Sequence, residues 1–191
     1  MTLLSLWEIG VLAMVLGVAV SIIRHTLVYG ISPMPSSHAV RRELIKHLPP
    51  LESGEIFELG SGFGTLAIPL AKHYPHLQVT GFEISPIPWS IAVIRTRLLG
   101  IKNLRFERSD FLKADLSPAK LFVSYLYPGG MTKIAECLQS LGPGQRYLLS
   151  HTFALPGHEP MANSRASDLY KSPIYLYQLP APTTCTPSGE A

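Results

Sequence analysis

The chain has 191 residues, enough for one domain with a core of its own and little more. Charged residues make up 15% and the net charge is +3, so the basic field that nucleic-acid binding usually needs is missing. The apolar fraction is 47%, and part of it has a local source: from Leu3 to Ile23 the only charged residue is Glu8.

At about 1.5 Å per residue, a helix over that segment matches a hydrocarbon core of roughly 30 Å. A cleaved signal peptide would carry a basic n-region, and residues 1–8 hold no Lys or Arg. A transit peptide would be amphipathic and Arg-rich, which this segment is not. The segment reads as a single transmembrane anchor, with Trp7 at one interface and Glu8 near the helix end. The alternative is an apolar helix buried against a partner or a second subunit. Arg24, Arg41, Arg42 and Lys46 all follow the segment and none precedes it, so the positive-inside rule puts the rest of the chain in the cytoplasm or an equivalent matrix. The chain then divides into an anchor at 1–24, a linker at 25–35, a folded domain at 36–180 and a disordered Pro/Thr/Ser tail at 181–191. Cys137 and Cys185 lie far apart and fit no metal pattern; Cys137 reads as a core thiol, consistent with a reducing compartment.

Ser36 or Ser37 can cap a helix whose apolar Val40, Leu44 and Leu48 share one face, ended by Pro49-Pro50. Strands and helices then alternate. Strands are expected at 55–59, 78–84, 104–109, 121–127 and 146–154, and helices at 64–73, 88–99 and 131–141. This alternation predicts a mostly parallel α/β sheet of Rossmann-like form with right-handed crossovers, binding its ligand at the carboxyl ends of the strands. Residues 155–167 and 169–179 read as an antiparallel addition at the sheet edge, with Pro173 as a break.

The richest stretch is Ile56-Phe57-Glu58-Leu59-Gly60-Ser61-Gly62-Phe63-Gly64. Glycines in a strand-to-helix turn reach backbone angles other residues avoid and let a ligand approach the main chain. A dinucleotide fingerprint wants G-x-G-x-x-G; here the third glycine comes one residue early. Glu83 stands at the end of the next expected strand, where a carboxylate can grip ribose hydroxyls, and Ser109-Asp110-Phe111 ends the one after.

The E-x-G-x-G-x-G form resembles motif I of the class I S-adenosylmethionine (SAM) dependent methyltransferases. Over residues 33–179 the chain is similar to the small membrane-anchored protein-lysine methyltransferases, which include the enzymes of ATP synthase subunit c and the adenine nucleotide translocase and their bacterial relatives. The residues carrying this are Pro35-Ser36-Ser37, Glu58 to Gly64, Gly81-Phe82-Glu83-Ile84-Ser85-Pro86 with Trp89, and Asp110 to Ser117. The resemblance implies SAM as cofactor, with no metal and no nucleic acid. The turn and helix start would face its carboxylate, Glu58 its ammonium, Glu83 its ribose, and Asp110 and Phe111 its adenine; Gly60, Ser61, Gly62, Gly64 and Ile84 complete the set. It further implies methylation of an amine, on a lysine of a membrane protein, in an enzyme tethered to a bacterial inner membrane or a mitochondrial-type equivalent.

Three positions depart from the family pattern: Glu58 replaces its usual Asp, Ser85 replaces an Asn, and Ser124-Tyr125-Leu126-Tyr127-Pro128 is unlike the D/N-P-P-Y loop of many amine methyltransferases. Tyr125 and Tyr127 are the candidates for the acceptor slot, or else core and rim aromatics. His151 is a candidate base or an ordinary structural histidine, and Trp89 and Met131 read as packing. Two other outcomes stay open: methylation of a small or lipid-like amphiphile, and a catalytically silent SAM-fold assembly factor.

Overall fold

The computed structural model describes residues 5–29, 36–142 and 144–179, with side chains at 18–19 and 21–29 outside the description. The expected disordered tail, residues 1–4 and most of the expected linker lie outside these residues.

The first helix, α1 (Leu6–Tyr29), runs past Ile23, so His25 to Tyr29 belong to a helix and not to a linker. Among the described residues no helix is long and apolar enough to cross a membrane. The transmembrane anchor expected from the sequence is therefore not found among the described residues, where α1 is a 24-residue helix. Leu6, Ile9, Val11, Leu12, Met14, Val15, Leu16 and Val20 are all exposed. Helix α2 (His38–Lys46) is capped by Ser37, whose side chain accepts the Val40 N–H at 3.2 Å, and it buries Val40 and Leu44.

The remaining elements are β1 (Glu55–Leu59), α3 (Ala67–His73), β2 (Gln78–Phe82), α4 (Pro86–Leu98), β3 (Leu104–Glu107), β4 (Ala119–Ser124), α5 (Pro128–Gln139), β5 (Arg146–His151), β6 (Ala162–Arg165) and β7 (Pro173–Leu179). They form one sheet in the order β3-β2-β1-β4-β5-β7-β6. The first five strands run parallel, and β7 is antiparallel to both β5 and β6. The strand order reverses direction between β1 and β4, and the crevice at such a switch point is where α/β sheets bind ligands.

Period-two alternation sorts the core. Ile56, Val79, Leu104, Leu121, Val123 and Leu149 join α2 and α3 on one face. Phe57, Leu59, Phe82, Phe122 and Leu148 join Met131, Ile134 and Ala135 of α5 on the other. Phe57 meets Phe82 and Phe122 edge-on at 5.2 and 6.2 Å, a geometry the ring quadrupoles favour. Glu58 lies on the same face as Ile56, toward α3, which decides what its carboxyl meets.

Several element ends differ from the sequence reading, for local reasons. Helix α3 begins at Ala67 and not Gly64, because Gly62 and Gly64 hold φ of 52° and 68°, outside the helical region. Strand β4 ends at Ser124, and Pro128 opens α5 at the first-turn position proline favours, so Tyr125 and Tyr127 lie in the connection and not in a strand. Strand β5 stops at His151 because Thr152 takes φ 70°. Residues 111–113 form only a 3-10 turn between β3 and β4.

Candidate SAM site

Gly60, Gly62 and Gly64 all have positive φ, at 80°, 52° and 68°. Each is needed for a different reason. A Cβ on Gly64 would stand 2.6 Å from Phe106 and 3.2 Å from Ala92, so this glycine lets the turn pack under α4 and β3. A Cβ on Gly60 would meet Leu126 at 2.9 Å, so the turn after β1 and the loop after β4 close on each other across the switch point. A Cβ on Gly62 would meet nothing within 4 Å; it marks the open place where a ligand can reach the backbone. Gly81 has a related role, since a Cβ there would strike both Phe106 and Ser61.

Glu83 bridges the two turns. Its carboxylate accepts the Gly62 N–H at 2.8 Å on one oxygen and the Ser85 N–H at 2.7 Å on the other. This corrects one detail of the sequence reading. Four of the turn's N–H groups do not stand free for the ligand's carboxylate: Gly60 and Ser61 donate to the Phe82 carbonyl, Gly62 to Glu83 and Gly64 to the Ser61 carbonyl. Glu83 therefore sets the shape of the turn, and a carboxylate oxygen has a second lone pair left to accept a ribose hydroxyl. Ile84 follows it, half-buried.

Glu58 is only 6% exposed, and its Oε2 has no hydrogen-bond partner. Burial pushes its carboxyl well above the usual range; the Ala67 N–H at the start of α3 opposes this, and the charge of Glu83 adds to it. A buried carboxyl with an orphaned oxygen is costly unless something cationic arrives. The side-chain oxygens of Ser61 and Ser109 are likewise buried without partners. Asp110 caps the 3-10 turn through the Leu112 N–H at 3.1 Å, and Phe111 packs against the α5 face of the core. The orphaned Glu58, Ser61 and Ser109 atoms and the open Gly62 fit a ligand bearing an ammonium, hydroxyls and ring nitrogens. Ser109 was not singled out as a ligand group by sequence; the signal was its place before Asp110 at a strand end.

On the other side of the switch point the predicted residues part company. Tyr125 is half-buried, and its ring stacks on His151 at 4.1 Å and 18°. Tyr127 is half-buried and lies over the first turn of its own helix, where a Gly129 Cβ would touch its ring at 2.7 Å. His151 is 3% exposed, and burial pushes its pKa down to about 4, partly offset by Asp168. Its Nε2 lies 3.0 Å from the Ser36 hydroxyl and its Nδ1 3.1 Å from that of Thr152. With both nitrogens engaged, its role as a base gives way to a structural one. Trp89 packs as expected, donating its indole N–H to the Phe106 carbonyl at 3.1 Å.

A family model, the ANTKMT methyltransferase domain, matches residues 58–162, more than half of the chain. The chain belongs to that family. It is a SAM-dependent methyltransferase with a class I α/β fold. An RNA methyltransferase from Salinibacter ruber, solved with S-adenosyl-L-homocysteine, is similar over 77% of this chain and 94% of its own, at TM-score 0.68 and 25% identity. Among curated proteins, a release factor glutamine methyltransferase of Coxiella burnetii is 29% identical over 82 residues, 43% of this chain and 30% of that protein. A carboxy-S-adenosyl-L-methionine synthase of Nautilia profundicola is 37% identical over 73 residues, 38% and 31% of the two chains. The chain thus spans about a third of the length of the curated relatives it matches. SAM supplies a methyl group on a positively charged sulfur. The chain's own residues have to hold it, align an acceptor and exclude water.

Proposed function

We propose that this methyltransferase modifies an amine, a lysine side chain of a membrane-associated protein, from a tether formed by α1. The observation that carries this reading is the first helix. Its exposed apolar side chains at Ile9, Val11, Leu12, Met14, Val15 and Leu16 surround the axis and do not form a stripe. A helix that is apolar all round needs a membrane or a partner to cover it. The 24-residue backbone length, the basic residues that follow it and the sequence likeness to membrane-anchored lysine methyltransferases support the membrane, with the catalytic domain on the cytoplasmic or matrix side. Confinement beside the bilayer raises the effective concentration of a membrane-borne acceptor. The low net charge speaks against an RNA acceptor like that of the Salinibacter relative.

Glu58, Glu83, Asp110 and Phe111, with Gly60, Ser61, Gly62, Gly64 and Ile84, form the SAM-binding set in this reading, and Tyr125 lines the acceptor side. The experiment is incubation of the full chain with methyl-labelled SAM and native membranes. Label in a protein band, recovered as methyl-lysine after acid hydrolysis, is the expected result. Label in the lipid extract would assign the enzyme to an amphiphile, and label released as methylamine would mark a side-chain amide.

A further inference from the structure

Three features lie outside the cofactor site: the buried Arg146 near a cavity at the far end of the sheet, the exposed apolar side chains of α4, and the cluster around His151. Arg146 donates through Nη1 to the Gly142 and Gly144 carbonyls beyond the end of α5, while its buried Nε has no partner among the described residues, and nothing nearby marks a ligand for it. The α4 stripe has no marked occupant. The third cluster reaches into the active crevice and brings together residues from opposite ends of the folded domain.

Ser36 precedes the α2 cap, and His151 ends β5, 115 residues away. Each ring nitrogen of His151 meets a hydroxyl, Ser36 on one side and Thr152 on the other. A hydroxyl can donate or accept, so either tautomer is satisfied and the ring plane is fixed. Thr152 holds φ 70°, a region β-branched residues avoid, while its N–H is bonded to the Pro173 carbonyl at 2.8 Å. Strain of that kind persists where surrounding contacts over-determine the backbone, and it gathers at functional sites. The fixed imidazole stacks face to face on Tyr125, and Phe153 lies nearly parallel to Tyr125 at 6.3 Å. Tyr125 follows β4 at the switch point, and its neighbour Leu126 closes on Gly60 of the cofactor turn.

We propose that His151 is a positioning residue for methyl transfer: clamped by Ser36 and Thr152, it holds the Tyr125 ring at the acceptor side of the crevice. Ser36, just ahead of the α2 cap, thereby joins the residues that shape the acceptor side. The inference rests on the methyltransferase assignment and on Tyr125 facing the acceptor. It does not depend on the acceptor being a lysine.

The test uses the full chain, methyl-labelled SAM and native membranes, counting methyl transferred to protein and lipid together. Ser36→Ala should lower kcat about fivefold, the scale of one lost hydrogen bond, with SAM affinity by calorimetry within about twofold of the parent. His151→Phe keeps a ring to stack and should retain more activity than His151→Ala. In a Tyr125→Ala background, Ser36→Ala should cause no further loss, because the group it acts through is gone. Additive losses in that background would overturn the proposal. So would a Ser36→Ala defect that tracks a lowered Tm and vanishes at a cooler assay temperature. A dead His151→Phe enzyme whose parent loses activity along a single histidine titration would make His151 a proton carrier instead. Label in lipid alone would refute the lysine reading and still leave the Ser36–Tyr125 coupling measurable.

Discussion

At the ends of β1 and β2 the functional groups are held by near neighbours. Glu83 takes N–H groups from Ser85, two residues on, and from Gly62, one strand across. At the ends of β4 and β5 they are held from a distance, as when Ser36 meets His151. The cofactor side is thus a backbone construction, made of three left-handed glycines and one bridging carboxylate. The proposed acceptor side is a side-chain construction, made of stacked rings and hydroxyls. The first kind need not change when the acceptor changes, since the cofactor stays the same. The second kind is free to vary, and here it departs from the loop pattern many amine methyltransferases use.

The contrast can be broken most forcefully in the turn. Gly64→Ala adds a Cβ at positive φ and 2.6 Å from Phe106, and should cost about 2–4 kcal/mol, lowering Tm by roughly 5–15 °C in calorimetry. Gly62→Ala carries the backbone strain without the clash, so it should keep more of its stability and lose SAM affinity. Equal melting of the two variants would mean the Phe106 contact is soft.

The acceptor side should reveal itself in acid. His151 is held near 4 by burial, against 6.5 in an unfolded chain. Between those values the unfolded chain binds a proton that the folded one refuses. Stability is therefore full above pH 6.5 and falls by about 3 kcal/mol toward pH 4. Urea unfolding across that range reads the slope, and His151→Phe should flatten it. A slope unchanged in the variant would place the buried titration elsewhere.

Glu83→Ala comes next. It removes the bridge between the turns together with the proposed ribose contact, and should weaken SAM binding by about 1.5–3 kcal/mol in titration calorimetry. Unaltered affinity would remove Glu83 from the site.

The smallest effect concerns Glu58. Burial raises its pKa, so at pH values below that pKa a proton leaves as the carboxylate meets the ligand's ammonium. Affinity should rise with pH through that pKa, by at most about tenfold per pH unit. Calorimetry in buffers of different ionisation heat should detect the released proton; its absence would separate Glu58 from the ammonium.

Much of this was legible in the sequence. The five parallel strands, the antiparallel edge and the acids Glu58, Glu83 and Asp110 follow from alternation and spacing, because backbone motifs are local. The ends of elements were less legible. Residues 64–66 looked helical by apolar period, yet positive φ at Gly62 and Gly64 delays α3 to Ala67. Tyr125 and Tyr127 looked equivalent as members of one strand; Pro128 starting α5 early turned one toward His151 and folded the other onto Gly129.

The sequence by itself determined the fold class, the cofactor and the position of the glycine turn, since each rests on residue types within reach of their neighbours along the chain. Only the tertiary structure decided that the Gly62 N–H serves Glu83 before any ligand and that Glu58 is buried with an oxygen to spare. It alone decided, too, that Ser37 caps α2 while Ser36 reaches across to His151. Those outcomes depend on which side chains are packed together across the sheet, and burial and hydrogen-bond competition are settled by that packing, not by order along the chain.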